Sequence, residues 1–176
     1  MTKFFLALLL FFGATFRIDA QQLVWEAVSS KVQFTIQNAG LEVVGSFSKV
    51  EGQLVTDAQG KIPVLIVGRA KVKSIDTGIG LRDRHLQGAD YFDAAKHPEL
   101  RMQLLDISGN QARFAVIIRG KTKTITVPFS WEKTGNTGRF RCSFKLNRRD
   151  FGIGGSSFIM GEEVKVSIDI EVRQQG

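Results

Sequence analysis

For most of its length the chain alternates apolar and polar residues with a period of two. Val32, Phe34 and Ile36 fall on one side and Gln33, Thr35 and Gln37 on the other, the signature of a strand with one buried face. A second run extends from Val44 to Thr56 with Gly45 and Gly52 inside it, positions where a strand bends or bulges readily. Asp57-Ala58-Gln59-Gly60 is turn chemistry. Val64, Ile66, Gly68, Ala70 and Val72 then share a face opposite Arg69, Lys71 and Lys73. Gly68 and Ala70 leave space on that face where larger residues would fill it. Downstream, apolar sets recur at 100–104, 114–118, 125–131, 140–146 and 164–172. The expected fold class is all-β, with about eight strands and short turns rich in Gly, Asn and Asp. Strands with one apolar face must close on themselves or stack in pairs. An eight-stranded antiparallel barrel and a two-sheet sandwich both satisfy the periodicity.

The rhythm stops between Ser74 and Pro98, where the chain reads SIDTGIGLRDRHLQGADYFDAAKHP. Arg82 to Gln87 has the composition of a short helix, Tyr91 to Lys96 that of a second helical turn, and Gly88 and Pro98 punctuate them. The pattern predicts a short helical insertion around residues 78–97, two helices packed over the sheet. An interruption of this kind in a regular scaffold is where function concentrates.

Candidate chemistry is sparse. His85 and His97 are the only histidines. With Asp83 and Asp93 they suggest either a metal site or acid–base pair, or side chains that anchor the insertion through hydrogen bonds. A zinc site takes three or four converging ligands, and no motif of that spacing is present. Asp83, His85 and Asp93 are therefore assigned to anchoring, with no metal ligand and no catalytic residue expected. Gly154-Gly155-Ser156-Ser157 lacks the flanks of a nucleophile elbow. Gly152-Ile153-Gly154 matches half a dinucleotide fingerprint but lies between strands with no helix to follow. An enzyme is not expected.

The first twenty residues are of another material. Lys3 is followed by the apolar run Phe4–Phe12 and by Ala20 at a plausible cut, a secretory signal pattern too short to anchor in a bilayer. Residues 1–20 are thus expected to be removed and residues 21–176 to form a single domain. The loss of Lys3, Arg17 and Asp19 lowers the net charge from +7 to +6. A basic surface attracts nucleic acid, anionic lipid or acidic small molecules, and export puts nucleic acid last among them. Cys142 is the single cysteine, so no intrachain disulfide forms, and its register beside Phe140 and Phe144 reads as core.

Several short motifs appear in a fixed order: Val32-x-Phe34-x-Ile36, Gly45-x-Phe47, Thr77-Gly78, Arg82-Asp83-x-His85-Leu86, Asp90-Tyr91-Phe92-Asp93, His97-Pro98, Ile118-x-Gly120-x-Thr122-Lys123, Arg149-Asp150-Phe151-Gly152-Ile153, and Gly161-Glu162-Glu163-Val164. The ordered set resembles the YceI-like family. That resemblance implies a lipocalin-like barrel in the periplasm that binds a polyisoprenoid, an isoprenoid quinone or another long-chain lipid, for storage or transport, without any other cofactor. It implies lipid as the partner; transient contact with a membrane surface is compatible with this reading, and no nucleic acid is expected. The lining residues expected for such a cavity are Phe34, Ile36, Val64, Ile66, Gly68, Phe92, Phe114, Val116, Phe129 and Phe144. Arg82, Arg84, Arg148 and Arg149 are the candidates for a head group, or else are solvated or paired with nearby aspartates. The chain departs from the family pattern at Asn38, where many members carry histidine, and at Glu26 and Ser29-Ser30, where members carry an aspartate and a His-Ser pair. A solid core with a partner-binding surface is the remaining alternative.

Overall fold

The structure, a computed structural model, describes residues 22–175. The expected signal peptide lies outside them. Ten strands are present: β1 (Leu23–Asn38), β2 (Leu41–Phe47), β3 (Val50–Thr56), β4 (Pro63–Lys71), β5 (Ile75–Asp76), β6 (Glu99–Ser108), β7 (Gln111–Ile118), β8 (Lys121–Thr134), β9 (Thr137–Asn147) and β10 (Met160–Gln174). One helix, α1 (Gly80–Leu86), stands between β5 and β6. All pairings are antiparallel, and the pairing of β10 with β1 closes the sheet. Counting β2 and β3 as one broken strand and leaving out the two-residue β5, the wall is a closed eight-stranded barrel, so closure and not stacking removes the strand edges.

The run from Val44 to Thr56 divides at Ser48-Lys49 because its two halves meet different parts of β1. Leu23–Glu26 of β1 pair with β3, whereas Val32–Asn38 pair with β2. Between them, Ala27–Lys31 keep only β10 as a ladder partner. The wall parts there. Gly45 and Gly52 do not mark the break; both sit inside strands, and a Cβ on Gly45 would stand 2.2 Å from Cζ of Phe34. Its bare backbone admits that ring, the cross-strand cover that aromatic residues give a strand glycine.

The expected second helix does not form. Residues 91–97 are a series of turns, in which the amides of Tyr91 and Asp93 donate to Gly88 O and those of Lys96 and His97 donate to Asp93 O. Asp93 itself adopts the left-handed conformation, at φ 49°, which a right-handed helix cannot continue through.

The interior is divided lengthwise. At the end where β1 begins, Trp25, Leu54, Leu104, Ala112, Phe114, Val127, Phe140, Cys142 and Val172 form one continuous core. Trp25 donates to Thr56 Oγ1 at 2.9 Å and meets Trp131 edge-on at 5.3 Å, while Trp131 donates to Gly60 O at 2.9 Å. At the other end, beneath the insertion, the apolar residues form two separate clusters, one around Phe47 and Ile75, the other around Phe151 and Ile153.

Candidate functional site

Between those two clusters lies an elongated cavity of about 260 Å³ whose accessible surface is overwhelmingly apolar. It is slightly under the usual range for small-molecule sites, which starts near ~300 Å³. Leu54, Phe114, Phe140 and Val172 of the packed core line it from one end. Its sides come from the inward positions of β1, β4 and β10, and the insertion adds Thr77, Arg82, Leu86, Tyr91 and Phe92. Two features make the space. Gly52 and Gly68 are cross-strand partners, and a Cβ built on Gly68 meets nothing within 4 Å. The insertion caps the barrel from outside and does not fill it. Its aromatic face continues the wall, with Phe34 and Phe47 5.7 Å apart and Phe47 meeting Phe92 edge-on at 6.2 Å.

Of the residues expected to line a cavity, Phe34, Ile36, Ile66, Gly68, Phe92, Phe114, Val116 and Phe144 do so. Val64 and Phe129 do not. Thr56 pairs with Pro63 and Val55 with Leu65, so Val64 is the extra residue of a β-bulge and is exposed; the bulge breaks the phase that would have aimed it inward. Phe129 stacks on Phe140 at 5.9 Å and packs with the solid core. Phe47, Leu86, Tyr91, Phe151, Ile153 and Met160 also line the space, although alternation does not mark them. Phe47, Leu86 and Met160 stand at the ends of β2, α1 and β10; Tyr91, Phe151 and Ile153 come from the connections, where no period exists to read, and are legible only as members of the Asp90–Asp93 and Arg149–Ile153 motifs.

The four head-group candidates separate. Arg82 lines the cavity but is committed to the insertion, donating from Nε to Thr77 Oγ1 at 2.8 Å and from Nη2 to Thr77 O at 2.7 Å. Arg84 is exposed on α1, and Arg149 pairs with Glu162 at 2.7 Å on the surface. Arg148 is different. It lines the cavity, is 3% exposed, and donates to Gly161 O at 2.8 Å, Ile153 O at 2.6 Å, Gly155 O at 2.8 Å and Met160 O at 3.2 Å. A guanidinium carries five N–H groups; four go to carbonyls, two in the β9–β10 loop and two at the start of β10, and no carboxylate pairs with it among the described residues. Its charge is buried without a direct ion pair, and the Glu162 carboxylate acts on it only through space.

The insertion is held chiefly by Asp83. Its Oδ1 accepts from Thr77 N at 2.9 Å and Thr77 Oγ1 at 2.5 Å, which closes the turn before α1 much as a capping box would. Asp93 is buried in the turn it shapes and lies 3.5 Å from Lys96. His85 is exposed, its ring 4.8 Å from that of Tyr91, while the His97 ring packs on Gly120. Arg119 bridges three loops by donating to Gly152 O and, at 2.6 Å, to Ala89 O. No group of three His, Cys, Asp or Glu side chains suited to a metal converges among the described residues. What the arrangement offers is desolvation, with one buried cation and a few hydrogen-bonding groups at its margin.

Comparison with known proteins agrees with this architecture. A family model described as YceI-like domain matches residues 24–172. A UPF0312 protein of Yersinia pestis is 27% identical over 174 residues, covering 90% of this chain and 86% of that one. The crystal structure of Burkholderia cenocepacia BcnA superposes with a TM-score of 0.70 at 23% identity, covering 81% of this chain and 95% of that one. A polyisoprenoid binding domain from Saccharophagus degradans, implicated in plant cell wall breakdown, superposes with a TM-score of 0.68 at 12% identity, covering 89% and 99%.

Proposed function

The chain belongs to the YceI-like family, and from that premise we propose that it is an exported carrier which holds a long-chain lipid, an isoprenoid or a related hydrocarbon, inside its barrel. The observation that carries this reading is the apolar cavity left open in an otherwise close-packed barrel. The relative described as a polyisoprenoid binding domain shares the fold and supports the same class of ligand. Export rests on the leader-like pattern of residues 1–20 and directs the carrier to the periplasm, where a hydrocarbon chain has no other soluble refuge.

The mechanism is burial. Each methylene removed from water contributes about 0.8 kcal/mol, so a ten-carbon stretch gains roughly 8 kcal/mol before the costs of association. Affinity then grows with the length of chain accommodated, and no bond is made or broken. A polar end is best met at Arg148, whose buried charge and remaining Nη2 hydrogen suit a phosphate or a quinone carbonyl. Asn38, a position at which the chain departs from the family pattern, borders the cavity. It is the residue through which this carrier would select a ligand different from that of its relatives.

Native mass spectrometry of the protein from its own host, before and after solvent extraction, tests the reading. The expected result is a co-purifying hydrocarbon-chain mass that extraction removes. Gly68→Leu sharpens it. A side chain there enters empty space without backbone strain and displaces about four carbons of ligand, so lipid uptake falls roughly a hundredfold while the fold is retained. A clean apo mass, with no uptake of added polyprenyl lipid, overturns the proposal in favour of a solid-core module.

A further inference from the structure

A carrier of this kind must exchange its cargo with a hydrocarbon phase, and the capped end of the barrel is built to meet one. Leu41, Phe158 and Ile159 are 72%, 111% and 66% exposed. They belong to adjoining segments, for Ala39 N donates to Ile159 O at 2.6 Å and joins the β1–β2 turn to the β9–β10 loop. They are next to residues of the cavity: Leu41 pairs with Asn38 and Ile159 precedes Met160, and Asn38 and Met160 line the space within.

Their exposure is held in place. The loop that carries Phe158 is fastened on either side by Arg148, through Ile153 O and Gly155 O before it and Met160 O and Gly161 O after it. Ser157 Oγ accepts from the amides of Ile159 and Met160 at 3.3 and 3.1 Å. Large apolar side chains presented on a fastened loop mark a surface made for contact. We infer that Leu41, Phe158 and Ile159 dock the barrel on an anionic lipid bilayer, so that cargo passes between the membrane and the cavity without crossing water. The inference rests on the lipid-carrier reading. A bilayer is favoured over a protein partner by the placement of the three side chains next to cavity-lining residues, and by the net charge of +6 left on the chain without residues 1–20, which attracts it to anionic leaflets.

The test is co-sedimentation of the mature protein with phosphatidylethanolamine–phosphatidylglycerol vesicles, run beside uptake of a dispersed fluorescent long-chain fatty acid. Wild type is expected to pellet with the vesicles. The double variant L41S/F158S should lose at least tenfold in vesicle affinity while taking up the dispersed probe as wild type does. The control I62S/V64S removes exposed apolar residues from the opposite end, at the β3–β4 turn, and should bind vesicles unchanged. Equal vesicle binding by L41S/F158S and wild type overturns the docking surface, as does equal loss in the control. Self-association of wild type that L41S/F158S abolishes, without vesicle binding, overturns it in favour of a second copy of this chain. Failure of wild type to take up the dispersed probe defeats the carrier reading instead, whatever the vesicles show.

Discussion

The two ends of the barrel are built from the same strands and nearly the same residue types, yet one is solid and the other hollow. Where β1 begins, Trp25, Phe114, Phe140 and Val127 are close to fully buried and interlock with Leu54, Leu104 and Cys142. Beneath the insertion, Phe34, Phe47, Phe92 and Phe151 offer as much aromatic surface but stand around a space. Hydrophobicity does not distinguish the ends. Two local choices do: Gly68, which withholds a side chain from the wall, and the division of β2 from β3, which leaves Ala27–Lys31 without a partner on that side. A barrel of this size has an interior just large enough to be filled by side chains or to hold one ligand, and this chain does both, one at each end.

The sharpest way to break the comparison is to delete an aromatic side chain from each end. Trp25→Ala should cost about 3–5 kcal/mol, because it empties an enclosed volume and leaves Thr56 Oγ1 without its indole donor. Phe34→Ala should cost about half as much, since the space it vacates opens into a cavity already present and its loss relieves no tight contact beyond Gly45 and Phe47. Urea denaturation of both variants at one pH measures the difference. Equal losses would mean that the hollow end is as tightly packed as the solid one.

A second contrast concerns how each end is closed. The solid end is sealed by packing and by two indole hydrogen bonds, whereas the β9–β10 loop at the hollow end is gathered chiefly by Arg148, which binds carbonyls on both sides of Phe158. Arg148→Met keeps much of the apolar stem but withdraws four donors at once, and should cost about 2–4 kcal/mol. Hydrogen exchange should rise first in residues 153–161. Arg148→Lys should rescue little, because an ammonium cannot span four carbonyls as the planar guanidinium does. Protection in that loop that survives Arg148→Met would show that other contacts hold it.

How much of this was legible beforehand follows from the same contrast. The barrel was readable because alternation is a direct image of a two-faced wall, and the insertion was readable as the place where alternation fails. The phase within each strand was less secure. Val28, Val64 and Leu105 are large, apolar and exposed, and each sits at a register shift between paired strands. Each bulge moves the residues beyond it to the opposite face, so the inward set on β1 runs through Trp25 and Ala27 and then through Ser30 and Val32. Nothing in a row of adjacent apolar residues says which one is the extra. The second helix was misread for a related reason: Tyr91 to Lys96 has helical composition, but Asp93 takes a left-handed turn that only the tertiary contacts of the loop select. The arginines were the least legible. A guanidinium that clamps carbonyls and one that awaits an anion look alike in sequence, and only the bonds made by Arg82 and Arg148 separate them from Arg84 and Arg149.

The smallest effect probes the solid end with a proton. Burial pushes the Cys142 thiol up from an ordinary value of 9.0 to about 12, because the thiolate would have to form among Phe140, Phe129 and their neighbours in the packed core. The unfolded chain ionises this thiol near pH 9 and the folded chain does not. The stabilisation is therefore complete below pH 9 and is lost as pH rises from 9 toward 12. At pH 10 the loss is about 1.4 kcal/mol, one pH unit above the unfolded value. Cys142→Ala removes the titration and little volume, so its stability deficit relative to wild type should shrink by about that amount between pH 8 and pH 10, with the lysines and the tyrosine contributing equally to both proteins. Paired urea titrations at the two pH values read this directly. A deficit that stays constant would mean that water reaches the thiol, and that the end described as solid is open after all.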